Sequence, residues 1–288
     1  MTESLFDLLN RFAEHLQTSG RAHATVIAYK KDVEQIIQFF AEKSKTTLES
    51  VTSEDIEAFK EELKVKRYTG KSISRKINSV KSFFRFLITE GLLAHNPAEV
   101  VTHPKYEQDP PRVLSRLEYR ALRDATRSDI RVYAIVEVLL QTGMRISEVS
   151  TLQITELDMD RNVITVKAQN SREGRKVPIN IAAKTALTEY LRSRPRAREK
   201  TLFLTKTCRP FLVRNIRTAI DRYFRLAGIK DGKVNDLRHT FIIEQLKAGT
   251  PLVYVSQLVG HKRITTTEKY LKLIDAPDMN PTVRIEEL

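Results

Sequence analysis

Residues 235–270 read NDLRHTFIIEQLKAGTPLVYVSQLVGHKRITTTEKY, a run that sets Arg238, His261 and Tyr270 at spacings from which all three could converge on a single phosphate. A tyrosine hydroxyl, with a pKa near ~10, is a poor nucleophile at neutral pH. It becomes a useful one when cationic donors stabilise the charge that builds on a neighbouring phosphoryl group. Arginine suits that task because its guanidinium stays charged and offers a planar fork to phosphate oxygens. One arginine is not enough for a pentavalent phosphorus, which directs attention upstream. There Arg145 stands in LLQTGMRISEVSTL (139–152), where Gly143 breaks one helical pattern just before another begins. Arg145 is therefore expected close to a helix N-terminus, where backbone N–H groups also favour an anion.

Three motifs in order, TGMRISEV, LRHT, and LVGH followed nine residues later by a tyrosine, resemble the tyrosine site-specific recombinases, the family of Xer-type recombinases, phage integrases and transposon resolvases. The resemblance covers nearly the whole chain. It implies that Arg145 and Arg238 clamp a scissile phosphate and that His261 hydrogen-bonds a phosphate oxygen. Tyr270 would attack to give a 3'-phosphotyrosyl link and a free 5'-hydroxyl. The chemistry would need no metal, ATP or other cofactor, and strand exchange would pass through a Holliday junction.

Two positions depart from the family pattern. Asn235 stands where a histidine is usual, three residues before the second arginine. Its amide can donate to a phosphate oxygen but cannot pass protons near neutral pH as imidazole can. His239, directly after Arg238, is a common residue in the family at that position and is assigned a structural role. The second departure is the lysine that the family carries in a β-hairpin turn as general acid. In NVITVKAQNSREGRKVPIN (162–180) its place falls on Gln169 or Asn170, and neither donates a proton usefully. Lys167 is the first alternative, with Arg172 and Lys176 open to a shift of register; Lys167 could equally be a solvated strand residue.

The 288 residues suffice for two domains with separate cores. Lysine and arginine outnumber aspartate and glutamate by 49 to 36, a formal net charge of +13, which favours a polyanionic partner. A single cysteine, Cys208, leaves no internal disulfide or thiolate metal cluster, and the six histidines show no metal-ligand clustering. No basic leader and no apolar run of ~18 residues occur, so a soluble, cytoplasmic protein is expected.

The first hundred residues read as four helices. Leu5, Leu8, Leu9, Phe12 and Leu16 mark the first, and Ile73, Ile77, Val80, Phe84 and Leu87 the last. These stripes are a bundle core. Around the last two helices gather Lys60, Lys64, Lys66, Arg67, Lys71, Arg75, Lys76, Lys81 and Arg85, as expected of a helix pair crossing DNA. Pro97, Pro104, Pro110 and Pro111 then make an extended linker, before Ser115 and Glu118 open a new helix as a capping box. The expected division is a core-binding domain at 1–105, a linker at 106–113 and a catalytic domain at 114–288. The resemblance implies that the linker lets the two close around the duplex.

The second domain is expected to be mainly helical with a small antiparallel sheet, its strands near 162–167 and 176–179 and another short one at TLFLT (201–205). Arg172, Arg214 and Arg217 are further candidates for phosphate contact. Tyr254, a second tyrosine near the site, is assigned to the core on its apolar neighbours. The family further implies double-stranded DNA with inverted-repeat core sites as partner, a homotetramer on that DNA, and a C-terminal tail after Asp275 that docks into a neighbouring protomer. Dimer or cointegrate resolution and mobile-element integration stay open as roles. A DNA-binding protein that kept the fold with impaired catalysis is the alternative, and a type IB topoisomerase a third.

Overall fold

In the computed structural model of the chain, the structure describes residues 4–45, 47–107, 109–169 and 172–274, so the tail after Asp275 lies outside it. The N-terminal helices start where the sequence supplies a cap. The Ser4 hydroxyl accepts the Asp7 N–H at 3.2 Å and donates to the Asp7 carboxylate at 2.6 Å, opening α1 (Leu5–Thr18). After α2 (His23–Glu42), Asp55 accepts the Thr52 N–H at 2.9 Å to start α3 (Ser53–Val65). The Thr69 hydroxyl accepts the Ser72 N–H to start α4 (Gly70–Thr89). The apolar stripes of all four meet in one core, where Phe12 meets Phe83 edge to face at 5.4 Å.

The chain divides into two compact units, Met1–Gln108 and Asp109–Leu288. In the second, the Ser115 and Glu118 capping box opens α5 (Arg116–Thr126). Next comes α6 (Ile130–Thr142), buried on nearly every face. Gly143, at φ 61°, ends α6 in the left-handed region, and a Cβ there would lie 2.4 Å from the Phe241 ring. Both constraints call for glycine. The turn delivers Arg145 as N-cap of the short α7 (Ile146–Thr151).

Three antiparallel strands follow in the order β1 (Leu157–Asp158), β2 (Val163–Val166), β3 (Arg175–Pro178). Ile164 pairs with Leu157 on one side and Val177 on the other. Ile164, Val166 and Val177 point into the core while Thr165 and Lys176 stay outside, the alternation a half-buried sheet requires. The remaining helices are α8 (Ile181–Ser193), α9 (Val213–Leu226), α10 (Val234–Lys247), α11 (Leu252–Val259) and the four-residue α12 (Thr265–Glu268). No helix among the described residues is long and apolar enough to cross a membrane.

Two expectations need correction. TLFLT is not a strand: it makes only the isolated bridges Gln153 to Thr201 and Leu204 to Pro210. Its backbone bonds are scattered: the Leu202 N–H donates to the Leu152 carbonyl, the Phe203 carbonyl accepts the Phe211 N–H, and side chains take others. The Tyr190 hydroxyl donates to the Leu202 carbonyl and accepts the Leu204 N–H, and Arg194 Nε donates to Leu202 as well. Tyr254 is not a core residue, being 48% exposed, whereas Tyr270 is only 6% exposed. On α11 the inward face is Val255, Leu258 and Val259, and Tyr254 lies off it.

Candidate active site

Arg145 is fixed through both its backbone and its side chain. Its N–H donates to Glu148 Oε2 at 2.8 Å, so the Glu148 carboxylate occupies the start of α7 where an anion was expected. Its guanidinium donates to Glu148 Oε1 (3.0 Å), the Val259 carbonyl (3.1 Å) and the Gly260 carbonyl (2.6 Å). From β3, Arg175 grips the same carboxylate bidentately at 2.9 and 2.8 Å and donates through Nε to the Leu258 carbonyl at 2.6 Å. Burial by itself would raise the Glu148 pKa. The Arg175 hydrogen bonds, the Arg145 N–H and the two guanidinium charges outweigh it and hold the carboxyl down at about 2.

Arg238 reaches the same place from the first turns of α10. It is buried, and it donates to the Gly143 carbonyl and, at 2.7 Å, to the Val259 carbonyl. Two guanidiniums thus share one acceptor, with repulsion between them that the Glu148 charge offsets. Burial and the Arg145 charge push the Arg238 guanidinium down to about 9, which leaves it cationic at neutral pH.

Apart from that of Gly143, the carbonyls they bind belong to the end of α11, which closes at Gly260 with φ 65°. A Cβ on Gly260 would sit 3.0 Å from Arg175 Nη1 and 3.3 Å from Arg145 Nη1, so the turn needs glycine for space as well as for φ. The next residue, His261, hydrogen-bonds through Nδ1 to the Thr267 hydroxyl at 2.7 Å, an arrangement that leaves Nε2 for another partner. Burial, then the Arg238 and Arg145 charges, lower its pKa to about 3, so the ring is neutral. A cavity of about 590 Å³ opens beside it, lined by Arg172, Arg175, Gly260, His261 and Lys262.

Tyr270 follows α12 directly, its ring buried among Phe241, Ile242, Val255 and Val259. Its ring lies nearly parallel to His261, centroids 6.4 Å apart and planes at 18°. Its hydroxyl meets His239 Nδ1 at 2.7 Å. Burial raises the Tyr270 pKa, with Arg238 acting against it. Burial and Arg238 lower His239 to about 4.

The fold therefore brings Arg145, Arg238, His261 and Tyr270 together. Asn235 is exposed on the first turn of α10. Lys167 is exposed, and its ammonium pairs with Glu156 at 2.7 Å and reaches Gln153 at 3.5 Å, neither of which belongs to the cluster. Gln169 is exposed, and Asn170 lies outside the described residues. Two members were missed, Glu148 and Arg175, and His239, assigned a structural role from sequence, also joins the cluster through its contact with Tyr270. Glu148 had a signal, standing three residues after Arg145 at the spacing of a capping carboxylate.

The basic positions separate by environment. Lys71, Arg85, Arg172, Arg214 and Arg217 are exposed. Lys81 is half-buried and donates to the Glu99 carbonyl at 3.2 Å. Lys76 is buried, its ammonium on Asp32 (3.1 Å) and Gln35 (2.6 Å), and Arg75 pairs with the same aspartate. Cys208 is exposed.

Residues 112–276 match the phage integrase family, and residues 9–91 match the phage integrase N-terminal SAM-like domain. The chain belongs to the phage integrase family, and it is a tyrosine recombinase. It is 31% identical to the tyrosine recombinase XerC of Roseiflexus castenholzii, over the whole chain and 96% of that relative. It is 30% identical to the XerC of Thermodesulfovibrio yellowstonii, over 94% of the chain and 92% of the relative. Among solved structures, XerA recombinase aligns over 95% of both chains at 29% identity with a TM-score of 0.54. The Tn1549 transposon integrase in complex with transposon right end DNA aligns over 97% of this chain and 96% of its own, with a TM-score of 0.76 and 20% identity. A lambda integrase dimer bound to a COC' core site also has a TM-score of 0.76, over 92% and 97% at 18% identity. The last two share the fold. A fold retained for DNA binding alone is not favoured by these likenesses.

Proposed function

We propose that this recombinase cuts and rejoins double-stranded DNA at inverted-repeat core sites through a 3'-phosphotyrosyl intermediate. The observation that carries this is the convergence of Arg145 and Arg238 on one carbonyl oxygen, with the His261 ring stacked on Tyr270 beside them. A phosphate seated there would take the remaining N–H donors of both forks and the Nε2 of His261. That places fixed positive charge where the phosphoryl oxygens gain negative charge, at no reorganisation cost during reaction. Tyr270 Oη forms the bond to phosphorus as the 5'-oxygen leaves, and the bond energy is kept for rejoining.

Four protomers would hold two sites and exchange strands through a Holliday junction, in the cytoplasm. The lambda integrase neighbours include a tetramer bound to a Holliday junction, which supports that assembly. Resolution of dimers or cointegrates, or integration of a mobile element, is the role of such a reaction. Unit 1 would carry the core-binding contacts, through Lys71, Arg85 and their neighbours, and unit 2 the chemistry.

The experiment is a nicked suicide duplex carrying candidate core sites from the protein's own genetic neighbourhood, run against wild type and Tyr270→Phe. A covalent adduct on a denaturing gel that disappears in the variant supports the assignment. Binding without adduct from a demonstrated cognate site would defeat it.

A further inference from the structure

His239 touches the atom that attacks. Its Nδ1 lies 2.7 Å from Tyr270 Oη, with ring centroids 5.7 Å apart. The contact is held from both sides. His239 follows Arg238 on α10, and that arginine is anchored to the Gly143 and Val259 carbonyls. Tyr270 is anchored by its ring in an apolar cluster.

A buried phenol bonded to phosphorus must lose its proton somewhere, and the candidates are few. Asn235 has no basic atom and stands exposed one turn earlier on α10. Lys167 pairs with Glu156. The Nδ1 of His261 is engaged by Thr267, which leaves its Nε2 for a phosphate oxygen. His239 is neutral in its buried setting, so one ring nitrogen carries a lone pair; in the tautomer protonated on Nε2 that nitrogen is Nδ1, the one at the hydroxyl.

We propose that His239 is the base that takes the Tyr270 proton during strand cleavage, the task that Asn235 cannot perform. This rests on the strand-cleavage reading of the site. The Oη–P bond forms and the P–O5' bond breaks, its electron pair staying on the 5'-oxygen. The Oη proton passes to His239 Nδ1, and the 5'-oxygen takes a proton from water. On rejoining, the 5'-hydroxyl attacks phosphorus, its proton passes to water, and the imidazolium returns its own proton to Oη. The negative charge of the incoming phosphodiester, which grows on its oxygens as Oη bonds to phosphorus, offsets the Arg238 charge and raises the basicity of the imidazole when it is needed.

The test has two arms. In the free protein labelled with ¹⁵N-histidine, Tyr270→Phe should shift the His239 Nδ1 resonance, and an unmoved resonance would overturn the proposal. In the second arm, adduct formation is timed on a duplex with an ordinary 5'-oxygen leaving group and on one with a 5'-bridging sulfur, whose thiolate needs no proton. His239→Ala should slow both by ~100-fold or more, the usual scale for a lost general base, while His239→Asn, which keeps a hydrogen-bond acceptor near the Nδ1 position, should not restore the rate. Equal rates for variant and wild type, recovery by His239→Asn, or rescue confined to the sulfur substrate would each overturn it. A wild-type protein with the ¹⁵N contact but no Tyr270-dependent adduct on a demonstrated cognate site would instead sink the strand-cleavage reading, and this one with it.

Discussion

Arg145 and Arg238, 93 positions apart by their numbers, donate to the same oxygen, the carbonyl of Val259, at 3.1 and 2.7 Å. One oxygen holding two forks means that the end of α11 sets the spacing of the two guanidiniums. It also means that either arginine is part of the fold as well as of the site.

Arg238→Lys separates the two roles. A lysine ammonium is a point donor on a flexible stem and cannot reproduce the fork that reaches both Gly143 and Val259. Leaving one of those buried carbonyls without a partner costs about 1–3 kcal/mol. We expect a lower urea midpoint together with a ~100-fold or greater loss of adduct. Wild-type stability in the variant would mean that water or a shifted donor satisfies the carbonyls.

Glu148 and Arg175 form a pair whose side chains are only 7% and 11% exposed. Removing one partner of such a pair typically costs about 3–5 kcal/mol, because the other charge stays buried. Glu148→Gln should therefore be strongly destabilising, and Glu148→Gln with Arg175→Met less so than the single change. Denaturant unfolding of the three proteins measures it; a double variant weaker than the single one would contradict the pairing.

Stability should also fall in acid in two separable stages. His239 and His261 have folded pKa values of about 4 and about 3, below the ordinary imidazole value of 6.5. Between those limits the unfolded chain binds more protons, so stability drops as pH falls from about 6.5. Glu148 has the depressed carboxyl, about 2 against 4.5, and its contribution is present above the higher value and lost only as pH falls below it. From pH 6.5 to 5 these two histidines should set the slope together with His103, whose pKa burial and then the Lys81 and Lys60 charges also lower. Urea midpoints across that range should be flatter for His239→Asn with His261→Asn; an unchanged slope would remove these two residues as its cause.

Gly143 offers a test of local geometry. Alanine there meets a left-handed backbone cost of about 1–2 kcal/mol and a Cβ 2.4 Å from Phe241. Phe241→Leu should recover the steric part and leave the backbone part. A double-mutant cycle on thermal unfolding reads the coupling directly; additive effects would show that the ring moves aside freely.

What could be read ahead of the structure follows range in sequence. Arg145 was legible because Gly143, close in sequence, shapes its turn. The helical stripes of unit 1 were legible because their periods are local. The His239 contact was not legible: residue type and spacing do not tell whether an imidazole meets a tyrosine 31 residues downstream. Tyr254 was assigned by apolar neighbours, when the 3.6-residue period of Val255, Leu258 and Val259 would have turned it outward. TLFLT has strand composition, yet its backbone bonds are divided among Leu152, Arg209, Phe211, the Tyr190 hydroxyl and Arg194, contacts no local pattern announces.

The same distinction governs the basic face of α4. Lys76 and Arg75 both pair with Asp32, which is buried and also accepts the Ser79 hydroxyl at 2.8 Å. Lys76, at 7% exposure, has little access to a phosphate, whereas Lys71 and Arg85 are open to solvent. A cation that neutralises one phosphate adds roughly 0.9 to the slope of log K against log salt. Lys71→Ala and Arg85→Ala should each flatten that slope by ~1 at most, with thermal stability nearly unchanged. Lys76→Ala should do the opposite, because it leaves the Asp32 carboxylate short of a buried partner: the slope stays and unit 1 melts earlier. Fluorescence anisotropy with a labelled duplex at several salt concentrations, paired with thermal melts, measures both quantities. A Lys76→Ala protein that keeps its melting temperature but loses salt dependence would return Lys76 to the DNA-contacting surface.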